Sequence, residues 1–241
     1  MQNELTGPDR TADANVCQRF QLRPQFEFDL EPPLKLDLNT QGNRVSSNVK
    51  AFSSPDAKPA ALADTRPSAG VIWLTGLSGA GKSTLCSLAS ARLRTRGYRT
   101  FIIDGDTLRT GLNSDLGFSA PDRKESVRRA AYTAALLADA GLLVLVALIA
   151  PFAADRARAR EIIGPHYHEV FVNAGIEVCR RRDPKGLYRR ALNGELPEFT
   201  GVSSPYEAPA APELMLDSCN QPAAECVTLL IDYIARRFVP G

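Results

Sequence analysis

The sequence predicts an α/β domain built on a parallel sheet with helices packed on both faces. Three observations carry this prediction. Gly76-Leu77-Ser78-Gly79-Ala80-Gly81-Lys82-Ser83 matches G-x-x-x-x-G-K-[ST] and lies between a short apolar run and a helical stretch. From Gly70 onward, apolar runs of strand length alternate with helical stretches. The run Leu142–Ile149 is apolar throughout, as expected for a strand covered on both faces. Together they predict a P-loop NTPase-type fold.

Taken in order, Val71–Thr75 is the first strand and the glycine loop follows it. Lys82–Arg96 reads as a helix ended by Gly97. Thr100–Asp104 is the next strand. Asp122–Ala140 is a long helix ended by Gly141, and Leu142–Ile149 is the central strand. Ala153–Ile163 is helical and Glu169–Val172 is extended. Ile176–Arg182 and Leu187–Asn193 are short helices. Leu214–Leu216 is a last strand, and Ala223–Arg237 closes the chain as a helix.

Residues 1–68 differ in composition from residues 69–241. They hold seven prolines and many Ser, Asn, Asp and Gln, so they bury too little apolar surface to offset the entropy of ordering. Disorder is one reading of this arm. Phe26, Phe28, Leu30, Leu34, Leu36 and Leu38 alternate with polar residues around Pro32-Pro33, so an extended arm on a sheet edge or a second subunit is the other.

The 241 residues are 44% hydrophobic, enough for one sizeable core, and carry a net charge of only +2. No strong basic field points to nucleic acid. Cys17, Cys86, Cys179, Cys219 and Cys226 form no C-x-x-C pair, a scattered set that suits a reducing cytoplasm. His166 and His168 have no cysteine at zinc spacing and read as structural or exposed. The most apolar stretch, Ala140–Ala154, is short of the about 20 residues that span a bilayer. The start MQNELTGPDR lacks the basic and apolar regions of a secretory signal. The expectation is a cytoplasmic protein without membrane or nucleic-acid partners.

The loop carries the chemistry that is read most directly. Gly76, Leu77, Ser78, Gly79, Ala80, Gly81, Lys82, Ser83 and Thr84 are the candidate ATP-binding residues. Glycines let backbone N–H groups curl around phosphate oxygens, and the helix N-terminus adds positive partial charge. Lys82 is placed for the β/γ-phosphates, and Ser83 for Mg²⁺ held with ATP. The guanine-reading N-K-x-D motif is absent. The strand Leu142–Ile149 ends without an acid, so Asp104 and Asp106, at the end of another strand, are the candidate catalytic carboxylates.

Three further blocks narrow the reading. They are Asp104-Gly105-Asp106-Thr107-Leu108-Arg109, then Asp115-Leu116-Gly117-Phe118 continuing to Asp122-Arg123-Lys124-Glu125-Ser126, and finally Arg182-Asp183-Pro184-Lys185-Gly186-Leu187-Tyr188 continuing to Phe199-Thr200-Gly201 and Pro205-Tyr206-Glu207. With VIWLTGLSGAGKST they resemble the adenylyl-sulfate (APS) kinase family over roughly residues 70–236. The resemblance implies transfer of the ATP γ-phosphoryl to the ribose 3′-hydroxyl of APS. It places Asp106, Arg109, Phe118, Arg123, Ser126, Ile149, Ala150, Lys185 and Phe199 at the acceptor site. The residues agree with it. Asp106 and Arg109 are one helical turn apart, as are Arg123 and Ser126. A guanidinium grips an anion through a planar fork, and Phe118 offers a ring for an adenine. Lys185, between proline and glycine, suits a closing lid. Arg128, Arg129, Arg180 and Arg181 are read either as phosphate-side residues or as solvated surface.

The resemblance breaks at two positions. Ala150 stands where the family has Ser in an Ile-Ser-Pro step, so no phosphoserine intermediate is possible, and direct in-line transfer is expected. Ser126 stands where the family has Asn; Asn offers both a donor and an acceptor, while Ser is shorter, so the loss of one substrate hydrogen bond is expected. Asp104 or Asp106 orients or deprotonates the hydroxyl, or holds the metal through water. The resemblance also implies a homodimer, and an ATP sulfurylase on a separate chain to make APS. Two alternatives stand beside this reading. One is a P-loop kinase for another small hydroxyl acceptor, and the other is a non-catalytic nucleotide-binding regulatory module.

Overall fold

The structure is a computed structural model that describes residues 66–241; the apolar pattern at residues 26–38 and Cys17 lie outside the described residues. The elements are β1 (Gly70–Thr75), α1 (Lys82–Arg94), β2 (Thr100–Asp104), α2 (Gly105–Arg109), α3 (Ala120–Asp139), β3 (Leu143–Ala147), α4 (Ala153–Ile163), β4 (Tyr167–Asn173), α5 (Ile176–Arg182), α6 (Leu187–Leu192), β5 (Leu214–Asp217) and α7 (Ala223–Arg237), with a 3₁₀ turn at Gly164–His166. All strand pairs are parallel, in the order β2-β3-β1-β4-β5.

Strand alternation sorts the core into two layers. Ile72 and Leu74 of β1 face one side, where they meet Leu85, Ala89 and Leu93 of α1 and Val227, Leu230 and Ile234 of α7. Val71 and Trp73 face the other side, against Val127, Ala130 and Ala134 of α3 and Ala159 of α4. Both faces are therefore covered, which is why β1 and β3 are apolar at nearly every position.

Element ends differ from the sequence expectation for local reasons. Helix α1 stops at Arg94 because Gly97, at φ 87°, starts a Schellman closure in which Tyr98 N–H donates to Leu93 O at 3.1 Å. Helix α3 begins at Ala120 because Ser119 accepts from Asp122 N–H as an N-cap and Pro121 fits the first turn. Strand β3 ends at Ala147 because the chain then turns at Ala150, whose φ is 41°. Strand β4 starts two residues earlier than expected, at Tyr167.

Register sets the working rim. Leu74 lies beside Ala147, and Ala147 lies beside Asp104. The phosphate loop, the Asp104–Arg109 segment and the Leu148–Pro151 turn therefore leave the sheet at one carboxyl edge, where open α/β sheets bind ligands.

Candidate active site

A cleft of about 810 Å³ opens along this rim. Residues Ser78–Thr84 line one end of it. Gly76 and Leu77 lie beneath, with their carbonyls accepting from Lys82 Nζ at 2.8 and 2.9 Å. Gly76 must be glycine: its φ is 152°, and a Cβ there would sit 2.5 Å from Val172 O. Lys82 is 8% exposed, and burial pulls its pKa down from 10.5 to about 8. An ammonium has three donors, so one remains for a phosphate.

Asp104 joins the loop to the acceptor end. Its Oδ2 accepts from Ser83 Oγ at 2.5 Å, and its Oδ1 accepts from Asp106 N–H at 2.9 Å, capping α2. The five-residue helix α2 puts Asp106 and Arg109 on successive turns beside the cleft. Asp106 pairs with Lys185, so the α5–α6 connection reaches across the opening to α2. Ser83 and Asp104 present hard oxygen donors next to the phosphate loop, a set that fits Mg²⁺ carried with a nucleotide. Among the described residues no group of three or more His, Cys, Asp or Glu side chains gathers as a metal site of its own.

At the acceptor end, the Arg109 guanidinium lies 4.0 Å from the Phe118 ring centroid and donates to Gly117 O at 3.0 Å. Phe118 itself is 54% exposed, so the ring is presented rather than packed away. Arg123, expected beside Arg109 at the acceptor, also lines the cleft. It is buried and donates to Phe118 O at 2.7 Å, Thr200 Oγ1 at 2.6 Å and Glu198 O at 2.5 Å, tying two loops together. Burial, and then the neighbouring Arg109 charge, press its pKa downward. The guanidinium groups of Arg109 and Arg123 therefore lie near one another in the lining of the cleft.

Ser126 lines the cleft, with its hydroxyl accepting from Asn113 Nδ2 at 2.9 Å, while buried Asn113 Oδ1 has no partner. Ile149 and Ala150 form the opposite wall. Phe199 packs edge-on against Tyr188, with centroids 5.1 Å apart, and closes the floor. Arg128, Arg129 and Arg180 do not line the cleft. Arg128 and Arg129 pair with Glu125, and Arg129 also grips Asp115. Arg180 pairs with Glu177. His166 is exposed, and His168 bonds Tyr233 OH at 2.7 Å.

Sequence reasoning missed the nucleotide end beyond the loop. Arg182, Ser218, Gln221 and Ala223 line it. Ser218 Oγ donates to Ala80 O at 2.9 Å, and Arg182 Nη2 donates to Ser218 O at 2.6 Å. Arg182 heads the block that runs on to Tyr188, but no motif marks Ser218, Gln221 or Ala223. Their one signal is position, since Ser218 directly follows the end of β5 on the ligand-binding rim.

A parallel sheet with a phosphate loop, a carboxylate pair and an arginine–aromatic corner in one cleft defines a P-loop phosphotransferase. Comparison with known proteins narrows the class. The profile of the family described as adenylylsulphate kinase matches residues 68–217. The adenylyl-sulfate kinase of Geotalea uraniireducens (strain Rf4) is 49% identical over 172 residues, covering 71% of this chain and 83% of that protein. The bifunctional enzyme NodQ of Rhizobium sp. (strain N33) is 52% identical over 168 residues, 69% of this chain and 26% of that one. Among solved structures, the Mycobacterium tuberculosis APS kinase CysC in complex with AMPPNP and APS superimposes with a TM-score of 0.68 at 45% identity, covering 70% of this chain and 99% of that one. The chain belongs to the adenylyl-sulfate kinase family of ATP-dependent phosphotransferases.

Proposed function

We propose that this chain transfers the γ-phosphoryl group of ATP to the 3′-hydroxyl of APS, giving ADP and 3′-phospho-APS. The observation that carries the reading is that one cleft holds the phosphate loop at one end and Asp106, Arg109 and Phe118 at the other. The loop amides and the third Lys82 donor hold the β/γ-phosphates. When bound, Mg²⁺ supplies charge neutralisation to the phosphates, and Ser83 and Asp104 hold it. Asp104 is committed to Ser83 and to capping α2, so Asp106 is the carboxylate for the acceptor. It takes the 3′-hydroxyl proton as the oxygen bonds the γ-phosphorus and the bond to the ADP oxygen breaks. Lys185 leaves its pairing with Asp106 to meet the transferring charge. Arg109 and Phe118 hold the sulfated nucleotide, and Arg123 keeps their loops in place. Ile149, Ala150, Ser126 and Phe199 shape its seat. Ala150 has no hydroxyl, so transfer is direct; positioning and charge stabilisation suffice for phosphoryl transfer.

Product identity tests this reading. APS incubated with Mg-ATP and enzyme should yield a nucleotide phosphorylated at the 3′ position, visible by ³¹P NMR, and a 3′-deoxy analogue should yield none. Phosphorylation of the 3′-deoxy analogue would contradict it. We also place the protein in the cytoplasm as a homodimer, with APS supplied by an ATP sulfurylase on a separate chain. Light scattering after size exclusion should then give a two-chain mass. Among the described residues no helix is long and apolar enough to cross a membrane.

A further inference from the structure

The wall Ile149-Ala150-Pro151 has an unusual conformation and an unusual set of restraints. Ala150 sits at φ 41° immediately before a proline, a region that L residues rarely adopt. Each carbonyl of the turn accepts a bond from outside it. Ile149 O accepts from Thr75 Oγ1 at 2.6 Å, Ala150 O from Arg156 Nη1 at 2.8 Å, and Pro151 O from Glu207 N–H at 2.9 Å.

Arg156 connects these restraints. Its side chain is 4% exposed. Besides Ala150 O, it donates Nε–H to Glu169 Oε1 at 2.8 Å and Nη2–H to Glu207 O at 2.7 Å. One guanidinium thus grips β4, the turn and the Tyr206–Glu207 strap. The strap is fixed as well. Glu207 Oε2 accepts from Ala153 N–H at 2.6 Å, at the start of α4, which has no side-chain cap of its own. Tyr206 OH donates to Thr75 Oγ1 at 3.0 Å, while its ring stacks on Phe171. Thr75 directly precedes Gly76, so the strap, the turn and the base of the phosphate loop share one hydrogen-bond network.

A buried ion pair is weak evidence for stability, because desolvation offsets its attraction. Charge balance with Glu169 does not require the two bonds to backbone carbonyls. Neither Arg156, Tyr206 nor Glu207 lines the cleft. We propose that Arg156 is a positioning residue for the acceptor: through Ala150 O and the Glu207 strap it fixes Ile149 and Ala150 against the bound sulfated nucleotide. The proposal rests on the acceptor reading above.

Arg156→Lys tests it. The lysine keeps a charge for Glu169, but its single ammonium cannot reproduce the planar fork across carboxylate, turn and strap. Misplacement of a substrate wall costs about tenfold or more, so kcat/KM for APS should fall by about that factor, while the dissociation constant for Mg-ATP stays within about twofold. Hydrogen exchange at residues 148–153 should quicken. Folded Arg156→Lys with wild-type APS kinetics and exchange, or with ATP affinity falling in parallel, would overturn the proposal. If Arg156→Lys does not fold, Tyr206→Phe decides, because it removes one hydroxyl and keeps the ring on Phe171. A severalfold higher KM for APS with unchanged ATP affinity supports the network's role, and an unchanged KM overturns it. Absence of APS turnover by wild-type enzyme would count against the functional reading alone, since exchange at the turn reports on Arg156 independently.

Discussion

Lys82 is subject to two pH dependences of opposite sign. Burial lowers its pKa from 10.5 to about 8 in the folded chain. Between those values the unfolded state binds more protons, so this group's contribution to stability rises with pH across that window. ATP binding needs the charged amine, so affinity should fall as pH rises through about 8 in the free enzyme. Isothermal titration between pH 6.5 and 9.5 should give a flat affinity below about pH 7.5, then a decline with proton uptake on binding. A flat profile would show that the amine is not engaged by phosphate. Arg109 acts at the other end of the cleft. Arg109→Ala should weaken acceptor use by about 1.5–3 kcal/mol, roughly ten- to a hundredfold, with ATP affinity unchanged. Steady-state kinetics with each substrate varied checks this, and an equal loss of ATP affinity would sink the assignment. Ala150→Ser should leave turnover within about threefold and form no phosphoprotein detectable with labelled ATP, because the transfer uses no enzyme nucleophile. These residues were legible in the sequence because each falls in a dense motif. The geometry around them was not. Nothing in D-R-x-E shows that Arg123 gives three bonds to neighbouring loops. Nor does the spacing show that Asn113, thirteen residues away, occupies the Ser126 hydroxyl.

At the scale of elements, helix and strand types read correctly wherever the apolar period was long. The ends depended on caps and turns. Ala153–Ile163, Ile176–Arg182 and Ala223–Arg237 begin and end where the sequence places them. Helix α3 starts two residues early because Ser119 and Pro121 act before the apolar period begins. Its cap is testable: Ser119→Ala should cost about 1 kcal/mol by urea denaturation, and an unchanged midpoint would show that the helix start is held by other contacts. The three-residue spacing of Asp106 and Arg109 fits a helical turn, but the five residues of α2 are too few to show an apolar period that would bound it. Helix α7 was easier to read, with Cys226, Val227, Leu230, Ile231 and Ile234 buried on one face. Leu230 is fully buried, so Leu230→Ala should cost about 2–5 kcal/mol in the same assay.

Over the whole molecule, parallel register brings together residues far apart in the chain. Thr75, Ile149 and Tyr206 meet in one hydrogen-bond network, and Asp106 meets Lys185 across the cleft. The alternation of strands and helices made the fold class readable. The strand order β2-β3-β1-β4-β5, which decides which loops become neighbours, required the structure. Because the site is assembled from loops far apart in the sequence, from Ser78 to Ala223, it is best tested on the whole protein. The most direct measurement is coupled ADP release by purified enzyme with Mg-ATP, with APS present or withheld, for wild type and Lys82→Ala. Wild-type enzyme should release ADP only with APS present, and Lys82→Ala should release none. ADP release indifferent to APS, or no release from a wild-type protein that still binds ATP, would contradict the proposed transfer.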